Sequence, residues 1–327
     1  MEFLSLHLFA GAGGGILADK LLGFRPIGAV EIDAYCRQVL LSRQADGCLP
    51  LFPIWDDVRT FRLDNPDTSA FIERCYNIRD RLVLCGGFPC QDISCAGLRA
   101  GIFGKRSGLW SEFARTVGEI RPIVAFVENS NQLVRRGVDV VLGDMDELGY
   151  DVAWGVLSAA DVGASHLRKR FWGVAVRRDV SNADCQHREE CCDGIAVETE
   201  DNRLNQLCRH VSDSLHSRGV WRFGERPENQ SDKTPDTRRE AVNASWQRRE
   251  DQPGMGRVAH GLGNWLDDHT SGNLWDDREH GLPRIVERCP NRRKRLKAIG
   301  NGEVPLCAAL AFDWLLHTIN RFAKGDF

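Results

Sequence analysis

No run of apolar residues in this sequence approaches the ~20 that a membrane-spanning helix requires. Neither sign of charge is in excess either: 43 Lys and Arg stand against 46 Asp and Glu, a formal net charge of −3. The first lack argues against a bilayer-crossing helix. The second means that any nucleic-acid footprint must be local rather than a property of the whole chain. The N-terminal MEFLSLHLFAGAGGG has no basic leader before its apolar stretch and passes straight into glycines, which does not fit a secretory signal. An intracellular protein follows as the expectation, with its 12 Cys in 327 residues reduced rather than paired. What is present is an ordinary globular composition, 42% hydrophobic and 27% charged, enough for one large domain or two modest ones.

Residues 1–176 alternate short apolar, β-rich runs with amphipathic stretches, the pattern of βαβ units in a parallel sheet. Strands are expected at Phe3–Phe9, Ile27–Glu31, Arg81–Cys85, Ile123–Glu128, Val152–Leu157 and Phe171–Val176. Helices are expected at Ile16–Leu22, Ala34–Ser42, Leu109–Ile120 and Val138–Leu148, the last stopped by Gly149. The fold class that follows is α/β, doubly wound. The character then changes: residues 181–240 hold only nine Leu, Ile, Val, Phe or Trp, and are expected to be irregular or partly disordered because they can bury so little. A final helix is expected over Glu303–Ile319, started by Pro305.

Charge is also uneven. Residues 177–282 carry 15 Lys and Arg against 21 Asp and Glu, a net of −6, whereas Pro283–Lys297 carries seven basic residues and one acid, a net of +6. That run, including Arg292, Arg293 and Arg295, is either a solvated surface or a phosphate contact.

Three motifs carry chemistry. LFAGAGGG, Leu8–Gly15, follows the first strand and opens the first helix. Its glycines Gly11, Gly13 and Gly14 let backbone approach a ligand, and the helix N-terminus offers free N–H groups. The third glycine of the dinucleotide fingerprint is missing, which weakens a nicotinamide reading. Glu31 lies twenty residues beyond Gly11, where an acid can accept both hydroxyls of a ribose. Asp57 could accept from an adenine amino group. LCGGFPCQDIS, Leu84–Ser94, places Cys90 after Pro89 at a strand's carboxyl end, followed by a glycine-rich polar loop suited to act as a lid. AFVENS places Glu128 at the end of a buried strand, where a carboxylate is costly unless it has a partner or a task.

FAGAGGG, GGFPCQ, ENS, HLRKR and RLKAIGNGEVP, in this order, resemble the DNA cytosine-5 methyltransferases of bacteria and phages. The resemblance covers residues 3 to about 176 and about 283 to 320, and implies the S-adenosylmethionine-dependent methyltransferase fold with a smaller inserted target-recognition domain. It implies S-adenosyl-L-methionine as cofactor, held by Phe9 on the adenine, the glycine-rich turn, Glu31 with Ile32 at the ribose, Asp57 with Val58 at the adenine edge, and Asn301. Asp56 beside Asp57 leaves that register open by one. It implies Cys90 as nucleophile, Glu128 as the acid on the cytosine ring, and Arg168 and Arg170 as the arginines of the family's Gln-x-Arg-x-Arg, with His166 standing where the family has Gln. Gly302 stands where members more often carry Ser or Ala.

DNA contacts are expected from Gln91, Ser94, Lys105, Arg106 and Ser107 in the loop after Cys90 and from Arg292, Arg293 and Arg295 in the basic run, to double-stranded DNA with the target cytosine flipped out of the stack. The implied organisation is a catalytic domain over 1–178, a recognition region over 179–282 and a C-terminal segment over 283–327 that returns to the catalytic domain. A monomer in the cytoplasm of a bacterium or phage-infected host is expected, with a restriction endonuclease as a possible partner and no membrane. Two other classes remain open: a catalytically silent DNA-binding homologue and a nicotinamide-dependent oxidoreductase, the latter with no use for Pro-Cys-Gln. Cys185, His187, Cys191, Cys192, Cys208 and His210 lack the paired ligand spacing of a zinc site, and no metal is expected. Trp221, Trp246, Trp265 and Trp275 read as core.

Overall fold

In the first strand, β1 (Leu4–Leu8), every residue is buried, and its alternation divides the molecule into two layers. Leu4, Leu6 and Leu8 point to one side, into a core shared with Ile72, Phe113, Val117 and Met145. Ser5 and His7 point to the other, where the buried Asp19 receives them. The computed structural model describes residues 2–89, 109–164, 166–181, 203–220 and 290–324.

The chain continues through α1 (Gly14–Leu22), β2 (Arg25–Val30), α2 (Ala34–Ala45), β3 (Ile54–Trp55), α3 (Ser69–Asn77) and β4 (Leu82–Gly87). After the glycine-rich loop it runs through α4 (Trp110–Ile120), β5 (Val124–Ser130), α5 (Leu133–Arg136), α6 (Val138–Glu147), β6 (Tyr150–Leu157), β7 (Arg170–Arg177) and α7 (Arg178–Ser181). Three further helices are α8 (Arg203–Ser217), α9 (Arg292–Asn301) and α10 (Pro305–Lys324). The sheet has seven strands in the order β3-β2-β1-β4-β5-β7-β6. Pairing is parallel from β3 to β5 and antiparallel where β7 joins β5 and β6 joins β7. The strand order reverses between β1 and β4, and the crevice at their carboxyl ends is where an open α/β sheet takes its ligand.

Local chemistry explains the elements nearest that crevice. Helix α1 begins after Gly13, whose φ of 95° suits glycine alone, and ends at Gly23 in the left-handed region. Asp33 caps α2, its carboxylate accepting from the N–H groups of Tyr35 and Cys36. The expected strands and helices of residues 1–176 are all present, shifted by a few residues at their ends. The short β3 and α3 had no expectation. Helix α10 begins at Pro305, leaving Glu303 outside it, and runs on to Lys324.

The expectation of an irregular 181–240 is corrected at α8. Leu204, Leu207, Cys208, Val211 and Leu215 are buried at helical spacing against the core on the α1 and α10 side. Five apolar residues on one stripe are enough to hold an otherwise polar helix to the domain. Ser214 Oγ donates to the Leu21 carbonyl, and His210 Nε2 lies 3.0 Å from that of Gly23. Cys208 and His210 therefore serve packing, while Cys185, His187, Cys191, Cys192 and the four tryptophans lie outside the described residues. Among the described residues, no helix is long and apolar enough to cross a membrane.

Candidate active site

The carboxyl ends of β1, β4 and β5 and the turn before α10 line one small, partly enclosed cleft. Its walls are Phe9, Ala10, Gly11, Gly15, Gly87, Glu128, Asn301, Gly302 and Glu303. Thus Phe9, Gly11, Glu128 and Asn301, four residues 292 positions apart at the extremes, meet around one space as the sequence motifs imply. A β-carbon on Gly11 would meet nothing within 4 Å, so the turn leaves open room for a ligand to approach backbone.

Glu31 stands just beyond β2 at the edge of this space. One carboxylate oxygen accepts from the N–H of Gly11 at 2.7 Å and the other from that of Asp33, also at 2.7 Å. Burial raises its pKa and these two backbone bonds partly offset the rise. Each oxygen keeps a second lone pair, the acceptor capacity that a ribose diol needs. Arg37 fixes the turn beneath by donating to the carbonyls of Glu31 and Ile32, and Ile32 presents its side chain to solvent. Asp57 is engaged by Arg59 through a two-pronged ion pair, which holds its carboxyl below the usual range. Val58 turns its side chain into the core, so only its main chain could meet a ligand; its carbonyl accepts from Arg115.

The reactive wall is built on β5. Glu128 pairs with Gly87 across the parallel ladder, and its Oε1 lies 2.8 Å from Arg170 Nε on β7. Burial raises the pKa of Glu128, opposed by Arg170 and Arg168. Arg168, close enough to Glu128 to act on its charge, also holds the main chain: its Nη2 donates to the carbonyls of Gly300 at 2.9 Å and Gly302 at 2.5 Å, so it clamps the turn before α10. His166, in place of the family's Gln, is half-buried, and burial with the charge of Arg168 lowers its pKa.

Sequence reasoning missed four residues here. Asn129, 1% exposed, donates from Nδ2 to the carbonyl of Phe88 and so pins the chain two residues before Cys90. A polar side chain inside an apolar strand was the available signal. His7 and Asp19 form a buried pair at 2.7 Å, behind the cleft. Glu303 lines the cleft itself, and an acid between a Gly-Asn-Gly turn and a helix-starting proline was the clue.

Cys90, Gln91, Ser94, Lys105, Arg106 and Ser107 lie outside the described residues. Of the basic run, Arg292–Lys297 opens α9, in which Ala298 alone is buried; Arg292 and Arg293 are exposed and Arg295 is half-buried. Lys297 ties this helix to the turn beside Glu31 through a 2.7 Å ion pair with Asp33.

The family model for C-5 cytosine-specific DNA methylases matches residues 3–252. The chain belongs to that family. It is 34% identical over 181 residues to the type II methyltransferase M.CviJI of Paramecium bursaria Chlorella virus IL3A, covering 55% of this chain and 44% of that one. With M.HhaI of Haemophilus parahaemolyticus it shares 29% over 180 residues, 54% of this chain and 50% of that one. With M.Eco47II of Escherichia coli it shares 30% over 239 residues, 66% of this chain and 54% of the other. The matches thus span about half the length of these relatives. The crystal structure of the S. pombe Dnmt2 methyltransferase has the same fold, with a TM-score of 0.50 at 13% identity over 98% of this chain and 100% of that one.

Proposed function

We propose that this protein transfers a methyl group from S-adenosylmethionine to C5 of a flipped-out cytosine in double-stranded DNA. The observation that carries the reading is the position of Glu128: ion-paired with Arg170, it shares one cleft with the glycine-rich turn and faces the strand end from which Pro-Cys-Gln departs. Three carboxylates stand at or beside the cleft, Glu31, Glu128 and Glu303, a lining suited to a cationic donor.

When bound, S-adenosylmethionine supplies an electrophilic methyl group on a sulfonium. The residues that would hold it are Glu31 with Ile32 at the ribose, Phe9 on the adenine, Asp57 and the main chain of Val58 at the adenine edge, and Gly11, Gly13, Gly14 and Asn301 around the tail. Cytosine C5 is a poor nucleophile until the Cys90 thiolate adds to C6, which makes the ring enamine-like and splits one hard step into two. Glu128 then donates a proton or hydrogen bond at N3 and offsets charge developing on the ring, with Arg170 orienting the carboxylate. Arg168 acts at one remove, by fixing the turn of Asn301. Loss of the C5 proton and β-elimination free Cys90. A stacked base cannot reach these groups, so the cytosine leaves the duplex, with Gln91, Ser94, Lys105, Arg106 and Ser107 as its cover.

Because α8 packs with the catalytic core, the recognition region is narrowed from 179–282 to about 221–282 in this proposal. The working unit is a monomer on duplex DNA, and by analogy with the type II relatives an endonuclease reading the same sequence is the expected partner. The test is transfer of a labelled methyl group from S-adenosylmethionine to duplex DNA, followed by base analysis. The expected product is 5-methylcytosine; label on another base, or a DNA-binding protein with no transfer, overturns the proposal. Cys90→Ala should abolish turnover and leave donor binding nearly unchanged, whereas normal turnover would refute the covalent route.

A further inference from the structure

Glu303 stands between two charged groups that no sequence motif connects. A β-carbon placed on Gly15 would lie 2.7 Å from Glu303 Oε2 and 3.3 Å from His7 Nδ1. One placed on Gly87 would lie 3.3 Å from Glu303 Oε1 and 2.8 Å from Glu128 Oε2. One oxygen of Glu303 therefore faces the buried His7–Asp19 pair, and the other converges with the Glu128 carboxylate on a single point above Gly87. Both glycines exist where side chains would drive these groups apart.

We propose that Glu303 is a positioning residue for Glu128, the two carboxyls sharing one proton above Gly87 so that Glu128 meets the cytosine ring as a donor. This rests on the methyl-transfer reading above. As the Cys90 sulfur bonds to C6, the ring's electron pair moves toward N3. The Glu128 O–H bond breaks and N3–H forms, leaving the carboxyl pair without its proton. Elimination of the thiolate reverses both changes and returns the proton to the pair.

The groups facing Glu303 decide whether the proton stays. Glu128 on β5 favours retention, because its negative charge opposes a second ionisation beside it. Asp19 on α1 acts in the same direction, whereas His7 on β1 and Arg168 before β7 favour ionisation. Arg170 on β7 draws on Glu128, and the buried Cys85 thiol on β4 contributes no charge near neutrality, since burial holds its pKa well above 9. The outcome for Glu303 is a pKa pushed up to about 8, burial first and Glu128 next. One proton is thus retained on the pair through neutral pH.

The experiment is the pH dependence of kcat for the full-length protein on mixed-sequence duplex DNA, with S-adenosylmethionine saturating. The wild type should lose kcat on an alkaline limb near pH 8, as the shared proton leaves. Glu303→Gln keeps the shape but cannot share a proton, so the limb should move down by about one pH unit or more, a roughly tenfold change in protonation per unit. Gly87→Ala, which puts a methyl at the convergence point, should move it the same way. A limb unmoved in either variant overturns the proposal, as does a loss equal at every pH or a rise confined to the donor KM. A wild type that makes no 5-methylcytosine refutes the methyl-transfer reading itself, whereas an active wild type with unmoved variants refutes this proposal alone.

Discussion

Gly14 lies against the main chain of Glu303 so closely that a β-carbon there would sit 2.4 Å from the Glu303 carbonyl oxygen. The glycine-rich turn therefore makes room for protein as well as for a ligand: the C-terminal segment returns across the whole chain and seats itself on the N-terminus of α1. Gly14→Ala must displace backbone, and overpacking of this kind typically costs about 1–3 kcal/mol. Urea unfolding should show that loss, and calorimetry should show weaker S-adenosylmethionine binding because Asn301 and Gly302 move with the segment. A variant with unchanged stability would show that the junction yields freely.

Glu31→Ala tests the donor site separately. It removes the acceptor for any ribose diol and also orphans the N–H groups of Gly11 and Asp33. Charge-assisted hydrogen bonds are worth roughly 1.5–3 kcal/mol each, so donor affinity should fall by at least tenfold. Tight NAD binding by the wild type, with none of S-adenosylmethionine, would instead favour an oxidoreductase.

How much of this was legible in sequence follows from physical range. Strands such as Val124–Ser130 announce themselves because an unbroken apolar run, here Ile123–Val127, admits few other structures. Glu31, Glu128 and Asn301 were legible because each ends a recognisable motif. Helix α8 was not: a stripe of five buried residues in a polar background is diluted in any window average, and only the waiting apolar faces of α1 and α10 make it a helix. The role of Arg168 was hidden for a related reason, since its partners at Gly300 and Gly302 lie over 130 residues away. Glu303 and His7 meet only because β1 and the turn before α10 share one sheet edge.

Those buried groups give stability a pH dependence of definite sign. The pKa of His7 is raised: burial opposes its charge, but Asp19, through charge and hydrogen bond, and Glu303 outweigh it. That of Glu303 is also raised, to about 8. In both cases the folded state holds its proton to higher pH than the unfolded chain does. Stability from Glu303 is complete below its ordinary pKa near 4.5 and is lost as pH rises toward 8; that from His7 is lost above 6.5. The urea midpoint should therefore fall between pH 5 and 8.5, and Glu303→Gln should flatten the decline. A midpoint that rises over this range would contradict the arrangement of the two groups.

Sequence choice and general DNA affinity should separate along the chain. Helix α9 carries Arg292, Arg293 and Arg295 with Ala298 alone buried, which suits contact with phosphates rather than discrimination between bases. Residues 221–282 carry scattered Arg, Asn, Gln and Ser able to reach base edges. Neutralising the three arginines together should weaken binding to every duplex and flatten its salt dependence, since each phosphate left without its arginine takes about 0.9 off the slope of log affinity against log salt. The methylated sites should stay the same. Exchanging 221–282 for the corresponding region of a relative should move methylation to the relative's sequence while α8, left in place, preserves the catalytic core. An active chimera that still methylates the original sites would refute this division, as would a triple variant whose methylation is redirected rather than weakened.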